Sequence, residues 1–220
     1  VSLYAGSDNY RVSDNFICGN FSLGNGGGIG HLGLSNNGMI SFNTVVFNET
    51  FNQGTDRHGG GIFVGGQAPL AINRLSPGAG SVAVNANLVQ GNLAGVGDGG
   101  GIRAQSVNGM DVWRSPGNSS PWYKLTVTNN MLTNNVAGLA GGGVSLQDSV
   151  LINVANNTIA NNDSTATTGA AFTAGNPNQS SPQPAGLVSR AHSQLLFNTI
   201  ATGSGYKQEF TQSQFVNNIL

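Results

Sequence analysis

The sequence predicts an all-β fold: one right-handed parallel β-helix over residues 1–220, a solenoid of about six coils with long loops on one edge. Three observations predict it. Asparagine pairs separated by four residues recur along the chain, apolar residues flank each pair, and glycine triplets followed by a bulky apolar residue stand between the pairs. Self-similarity of this kind is typical of repeat architectures, because each repeat buries its apolar face only against its neighbours.

The asparagine pairs set the repeat. A sixth copy begins at Asn198, with Gly203 in the second place, and a seventh begins at Asn218. The five complete pairs are Asn15/Asn20, Asn43/Asn48, Asn87/Asn92, Asn130/Asn135 and Asn157/Asn162. Equivalent residues of neighbouring coils stack, so we expect the amides to form hydrogen-bonded ladders, because an amide both donates and accepts. We also expect these asparagines to occupy left-handed bends, which asparagine tolerates better than most residues.

Apolar residues stand three positions before and two positions after each first asparagine. Upstream of one pair the alternation continues through Val150, Ile152 and Val154. A period of two indicates β-strands, and no helical apolar stripe competes with it. The residues before are Val12, Ile40, Val84, Val127, Val154, Leu195 and Phe215, and those after are Ile17, Val45, Val89, Leu132, Ile159, Ile200 and Leu220.

The glycine triplets mark the entry into another strand. Complete copies lie at 26–29, 59–62, 99–102 and 141–144, and a degraded fifth copy lies at 169–172. Glycine permits unusual backbone angles and a close approach of neighbouring coils. Three stretches, 66–80, 105–122 and 174–192, exceed what a coil needs, and since each follows a triplet strand we expect them to emerge along one edge.

The combination of Asn-x4-Asn with Gly-Gly-Gly-Ile, as from Asn87 to Ile102, resembles the right-handed parallel β-helix repeats of the pectate-lyase-like superfamily. It is most similar to the bacterial surface branch, which includes the polymorphic outer-membrane protein repeats. The resemblance covers roughly residues 8–220 and implies the fold. It leaves function open, because the superfamily holds lyases, glycosidases, adhesins and phage tailspikes.

The amino-acid composition indicates in which cellular environment the protein works. Only 8% of residues are charged, against roughly 25% in an ordinary soluble domain, while the chain holds 34 Gly and 29 Asn and a net charge of -1. There is no basic stripe for a nucleic-acid partner and no apolar run of the roughly 18 residues that a membrane-spanning helix needs. We expect an extracellular protein or one on the bacterial outer-membrane surface.

Few residues have the chemistry to bind a metal ion or a cofactor. Cys18 is the single cysteine, which excludes an internal disulfide, and we expect it to be a buried structural thiol. His31 and His192 are isolated, and we expect both to be surface or turn residues. We expect no cofactor, although calcium bound in a turn remains open, because backbone carbonyls and single aspartates can supply its oxygen ligands.

The weak candidates for catalysis are Asp56, His58, Asp98 and Arg103. His58 and Asp98 both stand immediately before a glycine triplet, so they would stack about 4.8 Å apart in adjacent coils. Such a group could perform acid–base chemistry on a sugar polymer. The same residues fit a solvated turn ladder with a His–Asp hydrogen bond, which we expect instead. The paired-aspartate and Gly-His-Gly motifs of polygalacturonase-like enzymes, and the acidic cluster of calcium-dependent lyases, are missing.

The candidates for binding are Trp113, Arg114, Trp122 and Tyr123. Both tryptophans of the chain lie in the loop at 108–123. Exposed aromatic side chains on a loop can anchor a sugar ring or a protein partner. In the alternative arrangement the loop folds back and its rings cover the flank of the solenoid.

Two functional hypotheses follow. The first is a non-enzymatic extracellular β-helix with a structural, adhesive or assembly role, whose partner is a glycan or a surface protein. The second is a carbohydrate-active β-helix, similar to a polysaccharide lyase or a glycoside hydrolase. The last residues, Asn218, Ile219 and Leu220, lie inside a repeat without a polar cap, so we expect a segment of a longer protein, with neighbouring coils or subunits at the open ends.

Overall fold

The computed structural model describes residues 1–220, except for the side chains of Gln212 and Ser213. The protein is predominantly β, with 8% of its residues in helices. Its strands form four parallel sheets, which the chain visits in a fixed rotation from sheet 1 to sheet 4 before it returns to sheet 1. Stacked parallel strands in several sheets are consistent with the predicted parallel β-helix.

The strand bounds are as follows. Sheet 1 contains Ser2–Tyr4, Ile29–Leu32, Ile62–Gly65, Ile102–Gln105, Val144–Gln147 and Leu187–Ser189. Sheet 2 contains Arg11–Ser13, Gly38–Ser41, Val82–Asn85, Lys124–Thr128, Leu151–Ala155 and Gln212–Val216. Sheet 3 contains Phe16–Cys18, Thr44–Val46, Leu88–Gln90, Met131–Thr133 and Thr158–Ala160. Sheet 4 contains Phe21–Ser22, Glu49–Thr50, Leu93–Ala94, Val136–Ala137 and Asp163–Ser164.

The core is built by the inward residues of these sheets. Val84 pairs in register with Ile40 on one side and with Val127 on the other, and all three side chains are fully buried. The same stacking in sheets 1, 2 and 3 gives one continuous core cluster of Val, Ile, Leu and Ala side chains, which also includes Ala79 and Val107 from the connecting segments. Each fully buried side chain of this kind contributes about 1.5–3 kcal/mol relative to an exposed one, so the alternation detected in the sequence is the main source of stability.

Both asparagine ladders form. Nδ2 of Asn43 donates to Oδ1 of Asn87 at 3.0 Å, and the backbone N–H of Asn43 donates to the same oxygen at 3.0 Å. The first ladder runs through Asn15, Asn43, Asn87, Asn130, Asn157 and Asn218. The second runs through Asn20, Asn48, Asn92, Asn135 and Asn162.

The predicted copy at Asn198 was wrong. Asn198 lies in the helix Gln194–Thr199, which we call α2, and Leu195 and Ile200 belong to that segment rather than to the stacked strands. Asn218 takes the next place after Asn157 instead, with an amide hydrogen bond of 3.0 Å. The sequence between Asn157 and Asn218 therefore makes one passage through the sheets with two long connections, and it contains no additional short repeat.

The bends also differ from the expectation. The left-handed residue is the one before each ladder asparagine, and not the asparagine itself. Two of these residues are phenylalanines: Phe42 has φ 57° and Phe47 has φ 54°, and both are exposed. The other non-glycine members of the two rows are Asp14, Ala86, Asn129, Asn134, Asn156, Asn161 and Asn217. The ladder asparagine supplies hydrogen bonds, whereas its predecessor absorbs the backbone strain.

The glycine triplets lie between sheets 4 and 1, where neighbouring backbones approach closely. A Cβ atom on Gly60 would lie 2.4 Å from the backbone carbon of Leu93, which no side chain could tolerate. The predicted fifth copy at 169–172 was wrong. Gly143 donates to the carbonyl of Ala185, and Val144 to that of Gly186, so Ala185 and Gly186 take the place of the triplet.

The long connections place the remaining elements. The segments 66–81, 106–123 and 190–211 all run from sheet 1 to sheet 2, and they include helix α1 (Met110–Arg114), α2 and the 3-10 turn Thr202–Ser204. The predicted loop 174–192 is interrupted by the sheet 1 strand Leu187–Ser189. Before that strand, 165–186 contains the 3-10 turn Gly169–Ala171 and an antiparallel pair, Phe172–Thr173 with Asn176–Ser180. Among the described residues, neither helix is long and apolar enough to cross a membrane.

Candidate functional site

The catalytic candidates lie partly in one buried cluster on the outer face of sheet 1. Arg103 points outward from its strand and is nevertheless only 1% exposed, and Asp98 is equally buried. The Asp98 carboxylate lies 3.1 Å from Nη1 of Arg103. It also accepts two hydrogen bonds from Arg190, of 2.6 and 2.7 Å, and one of 3.1 Å from the backbone N–H of Ala140. Both carboxylate oxygens are therefore fully engaged.

Arg103 is held from the next strand of sheet 1. Nη1 donates to Oγ of Ser145 at 2.6 Å and Nη2 donates to Oε1 of Gln147 at 2.5 Å, whereas Nε is buried without a partner in the described residues. Burial lowers the pKa of Arg103 to about 10, with Asp98 opposing the shift. The guanidinium stays charged at neutral pH, so it pairs with Asp98 and cannot serve as a proton abstractor.

His58 approaches this cluster through the backbone of Asp98. Its Nδ1 accepts the backbone N–H of Asp98 at 3.0 Å, so the two residues form the predicted His–Asp hydrogen bond without the carboxylate. Burial, and secondarily the positive charge of Arg103, lowers the pKa of His58 to about 4. Asp56 lies exposed in the turn before His58 and forms no ion pair within the described part of the chain.

Arg190 is the member of the cluster that sequence reasoning missed. It follows the sheet 1 strand Leu187–Ser189, which the irregular passage at 165–186 hid from the repeat pattern. With it, the cluster ties together three successive strands of sheet 1, because Asp98 precedes one strand, Gln147 ends the next and Arg190 follows the third. The arrangement can stabilise the stack, and its carboxylate has no free lone pair directed at a substrate.

The binding candidates separate into exposed and buried residues. Trp113 and Arg114 are exposed on α1. Trp122 is 2% exposed, and its Nε1 donates to the carbonyl of Ser115 at 2.8 Å. Tyr123 is half-buried and packs against the main core. The structure therefore combines both arrangements that the sequence allowed, since the loop folds back on Trp122 and presents Trp113.

Trp122 joins the loop to the neighbouring excursion. It belongs to a second apolar cluster with Val112, Val150, Leu196 and Ile200, and its ring meets that of Tyr206 edge to face, with 5.5 Å between centroids. Asp111 fixes the start of α1 by accepting hydrogen bonds from the backbone N–H groups of Gly109 and Tyr123. The loop is a packed unit and not a free arm.

An open groove of about 470 Å³ runs over the outer face of sheet 2. Outward side chains of neighbouring strands form its floor, among them the register partners Thr126 and Asn153, and Tyr206 borders it. Its remaining lining residues are Ser119, Ser120, Lys124, Leu125, Leu151, Ile152 and Gln214. Of the side chains described there, one is basic and none is acidic. The sequence pattern had not singled out this groove, because its residues occupy the solvent-facing positions that the repeat leaves variable.

Three further expectations on single residues were wrong. His31 is buried, with its ring between the hydroxyl of Tyr10 and the carbonyl of Ala79, both at 2.9 Å, and burial lowers its pKa. His192 is also buried, 3.7 Å from a carboxylate oxygen of Asp148. Cys18 is exposed, because it lies on the outward side of its strand.

Within the described residues, no group of three or more His, Cys, Asp or Glu side chains is placed to hold a metal ion. Comparison with protein-family models, with curated proteins and with solved structures found no match.

Proposed function

We propose that the chain is a non-enzymatic β-helix of an extracellular or bacterial outer-membrane surface protein, and that it has an adhesive role in which it binds a glycan. Included in the proposal is the finer description of the fold: right-handed, of about six coils, with long loops on one edge, and related to the surface branch of the pectate-lyase-like superfamily. The two asparagine ladders and the glycine triplets support that relationship.

One observation carries the proposal: the sheet 2 groove is polar, nearly neutral and free of acidic lining among its described residues. Thr126, Asn153 and Gln214 offer hydroxyl and amide groups that both donate and accept, as sugar hydroxyls do. The Tyr206 ring provides an amphipathic wall of the kind that packs on a sugar face. Glycoside hydrolysis requires a pair of carboxyl groups beside the scissile bond, which supports binding without cleavage.

The burial and ion pairing of the catalytic candidates also support binding without catalysis. Asp98 is saturated by Arg103, Arg190 and a backbone N–H, and Asp56 is exposed and forms no ion pair with a described residue. A general acid or base must come within hydrogen-bond reach of the substrate, and a buried, fully paired carboxylate does not. The low charge of the whole chain, 8%, favours an uncharged extracellular surface.

A glycan array combined with a polysaccharide-degradation screen tests the proposal on the 220-residue chain. We expect binding of neutral oligosaccharides, a loss of affinity of about fivefold in Asn153→Ala, as for one neutral hydrogen bond, and no soluble products from any polysaccharide. Thr133→Ala is the matched control, because this residue lies on the outer face of sheet 3, away from the groove. Release of product that is abolished by His58→Ala would overturn the proposal in favour of the carbohydrate-active alternative.

A further inference from the structure

The three excursions that leave sheet 1 meet around a second surface, which we call the loop cleft. Three hollows of about 220, 190 and 350 Å³ adjoin one another there. All three are lined by Arg74 and Leu75; Met110 and Leu195 each line two of them. The cleft is thus assembled from 66–81, α1 and α2, and it shares no lining residue with the sheet 2 groove.

The lining of the loop cleft is mainly apolar and unusually exposed. Ile72 is 97% exposed and Leu70 is 86% exposed, and Trp113 and Leu195 also present much of their surface to solvent. Other exposed apolar side chains occur on this protein, but these four border connected hollows, into which a ligand side chain can insert. Contiguous exposed apolar surface rimmed by polar groups marks an interaction site.

The charge at the rim is positive. Arg74 and Arg114 are both exposed, and neither forms an ion pair with any described residue. Two nearby carboxylates are already engaged: Asp111 accepts from the backbone of Gly109 and Tyr123, and Asp148 accepts from the backbone of Ser193 at 2.6 Å. The guanidinium groups are therefore free for a carboxylate of a ligand, which they can bind in a bidentate manner.

The helices that border the loop cleft are held by packing behind it. Trp122, Val112, Leu196 and Ile200 form the buried cluster that joins α1 to α2, and the lining residue Leu75 packs against this cluster. Ser193 caps α2 by accepting from the backbone N–H of Leu196. This packing lowers the entropic cost of binding, because fewer groups must be ordered when the ligand arrives.

We propose that the loop cleft docks a peptide segment of a partner protein that carries a large apolar side chain flanked by acidic residues. The aliphatic lining favours a peptide over a glycan, because sugar hydroxyls placed against Leu70, Ile72 and Leu195 would lose hydrogen bonds to water without replacement. Leu75 and Trp113 provide the apolar contacts for the anchor side chain. Arg74 and Arg114 select for carboxylates on either side of it.

A selection of random dodecapeptides displayed on phage tests this docking. We expect enrichment of sequences with Leu, Ile, Phe or Trp beside Glu or Asp. The most enriched peptide, labelled with fluorescein, should bind the whole chain in fluorescence polarisation. Its affinity should fall about fivefold in Arg74→Gln and in Arg114→Gln, as expected for one exposed charge pair each, and further in Ile72→Ser.

The matched control is Arg11→Gln, since Arg11 is exposed at the far end of sheet 2, and this variant should bind like the parent protein. A version of the peptide with Gln in place of every acidic residue loses both charge pairs, so it should bind the parent about 25-fold more weakly than the selected peptide does. It should bind Arg74→Gln and the parent with equal affinity. Selection of no acidic–apolar consensus, or equal binding by Arg74→Gln, Arg114→Gln and Arg11→Gln, would overturn the proposal. So would binding of polygalacturonate at this cleft in the absence of peptide binding.

Discussion

Arg190 binds Asp98 through two parallel hydrogen bonds, of 2.6 and 2.7 Å, although 92 residues separate them in the chain. The carboxylate lies at the exit of one passage through the sheets, and the guanidinium lies after the sheet 1 strand two passages later. Arg103 completes the cluster, because its Nη1 also lies 3.1 Å from the Asp98 carboxylate. The contact joins the end of the strand Leu187–Ser189, which follows the irregular region at 165–186, to the regular part of the stack.

Asp98→Ala should lower the free energy of unfolding by about 3–5 kcal/mol, because it leaves the buried guanidinium of Arg103 without a counter-charge. Arg190→Ala should cost less, about 1–3 kcal/mol, because Arg190 is 29% exposed and Asp98 keeps Arg103 and its backbone donor. Urea denaturation followed by circular dichroism measures both. Asp56→Ala, which removes an exposed carboxylate, serves as the control; a similar loss in all three variants would contradict the assignment.

A ladder asparagine in the middle of the stack should contribute more to the free energy of unfolding than one at the end of the ladder. In Asn92→Ala the backbone N–H of Asn48 loses its acceptor at 2.9 Å and the carbonyl of Val45 loses its donor, so we expect a loss of about 2–4 kcal/mol. Asn20→Ala should cost below about 1 kcal/mol, because Asn20 is exposed at the edge of the ladder. Equal midpoints of thermal unfolding in the two variants would show that the ladder does not contribute in this way.

Phe42→Asn should stabilise the protein by about 0.5–1 kcal/mol, because asparagine accepts a left-handed backbone at a lower cost than phenylalanine. Phe42 is 61% exposed with φ 57°, so the substitution removes little packing. Phe16→Asn is the comparison, since Phe16 is also exposed, at 71%, but lies in a strand with negative φ. The midpoint of thermal unfolding should rise in Phe42→Asn and not in Phe16→Asn.

Stability should fall as the pH drops from about 6.5 towards 4. The unfolded chain protonates His58 near its ordinary pKa of 6.5, whereas burial keeps the folded-state pKa at about 4. In this interval the unfolded state binds more protons, so acid favours unfolding. His58→Gln should reduce the dependence of the free energy of unfolding on pH between 4 and 6.5, while His31, whose pKa burial also lowers, keeps part of it. An unchanged slope would show that His58 does not contribute.

Periodicity allowed much of the fold to be predicted. Residues of the same type recur at the positions of Val84, Asn87 and Asn92, because stacked positions have the same surroundings in every passage through the sheets. Asn198 matches the motif in sequence but does not stack on another ladder asparagine. Ser193 caps a helix there, and the ladder continues only at Asn218. A local pattern cannot distinguish these cases, because stacking is decided by residues far away in the chain.

The candidate sites were less predictable, for a related reason. The burial of His31 could have been inferred, because it lies two residues after the buried Ile29 and therefore faces the same side of the strand. Arg190 could not, because it follows a long irregular connection with no fixed length. The loop cleft likewise depends on three excursions whose mutual approach is set by the stack and not by their own sequences.

The asparagine ladders also determine how the protein responds to tension. A force along the stacking axis breaks the Asn–Asn hydrogen bonds one after another. Passages that are joined only by the ladders and the sheets therefore separate one at a time. The Asp98, Arg103 and Arg190 cluster spans three strands of sheet 1 and couples the passages that it bridges. That region should therefore extend last and in one larger step, which makes it the mechanical anchor of the chain.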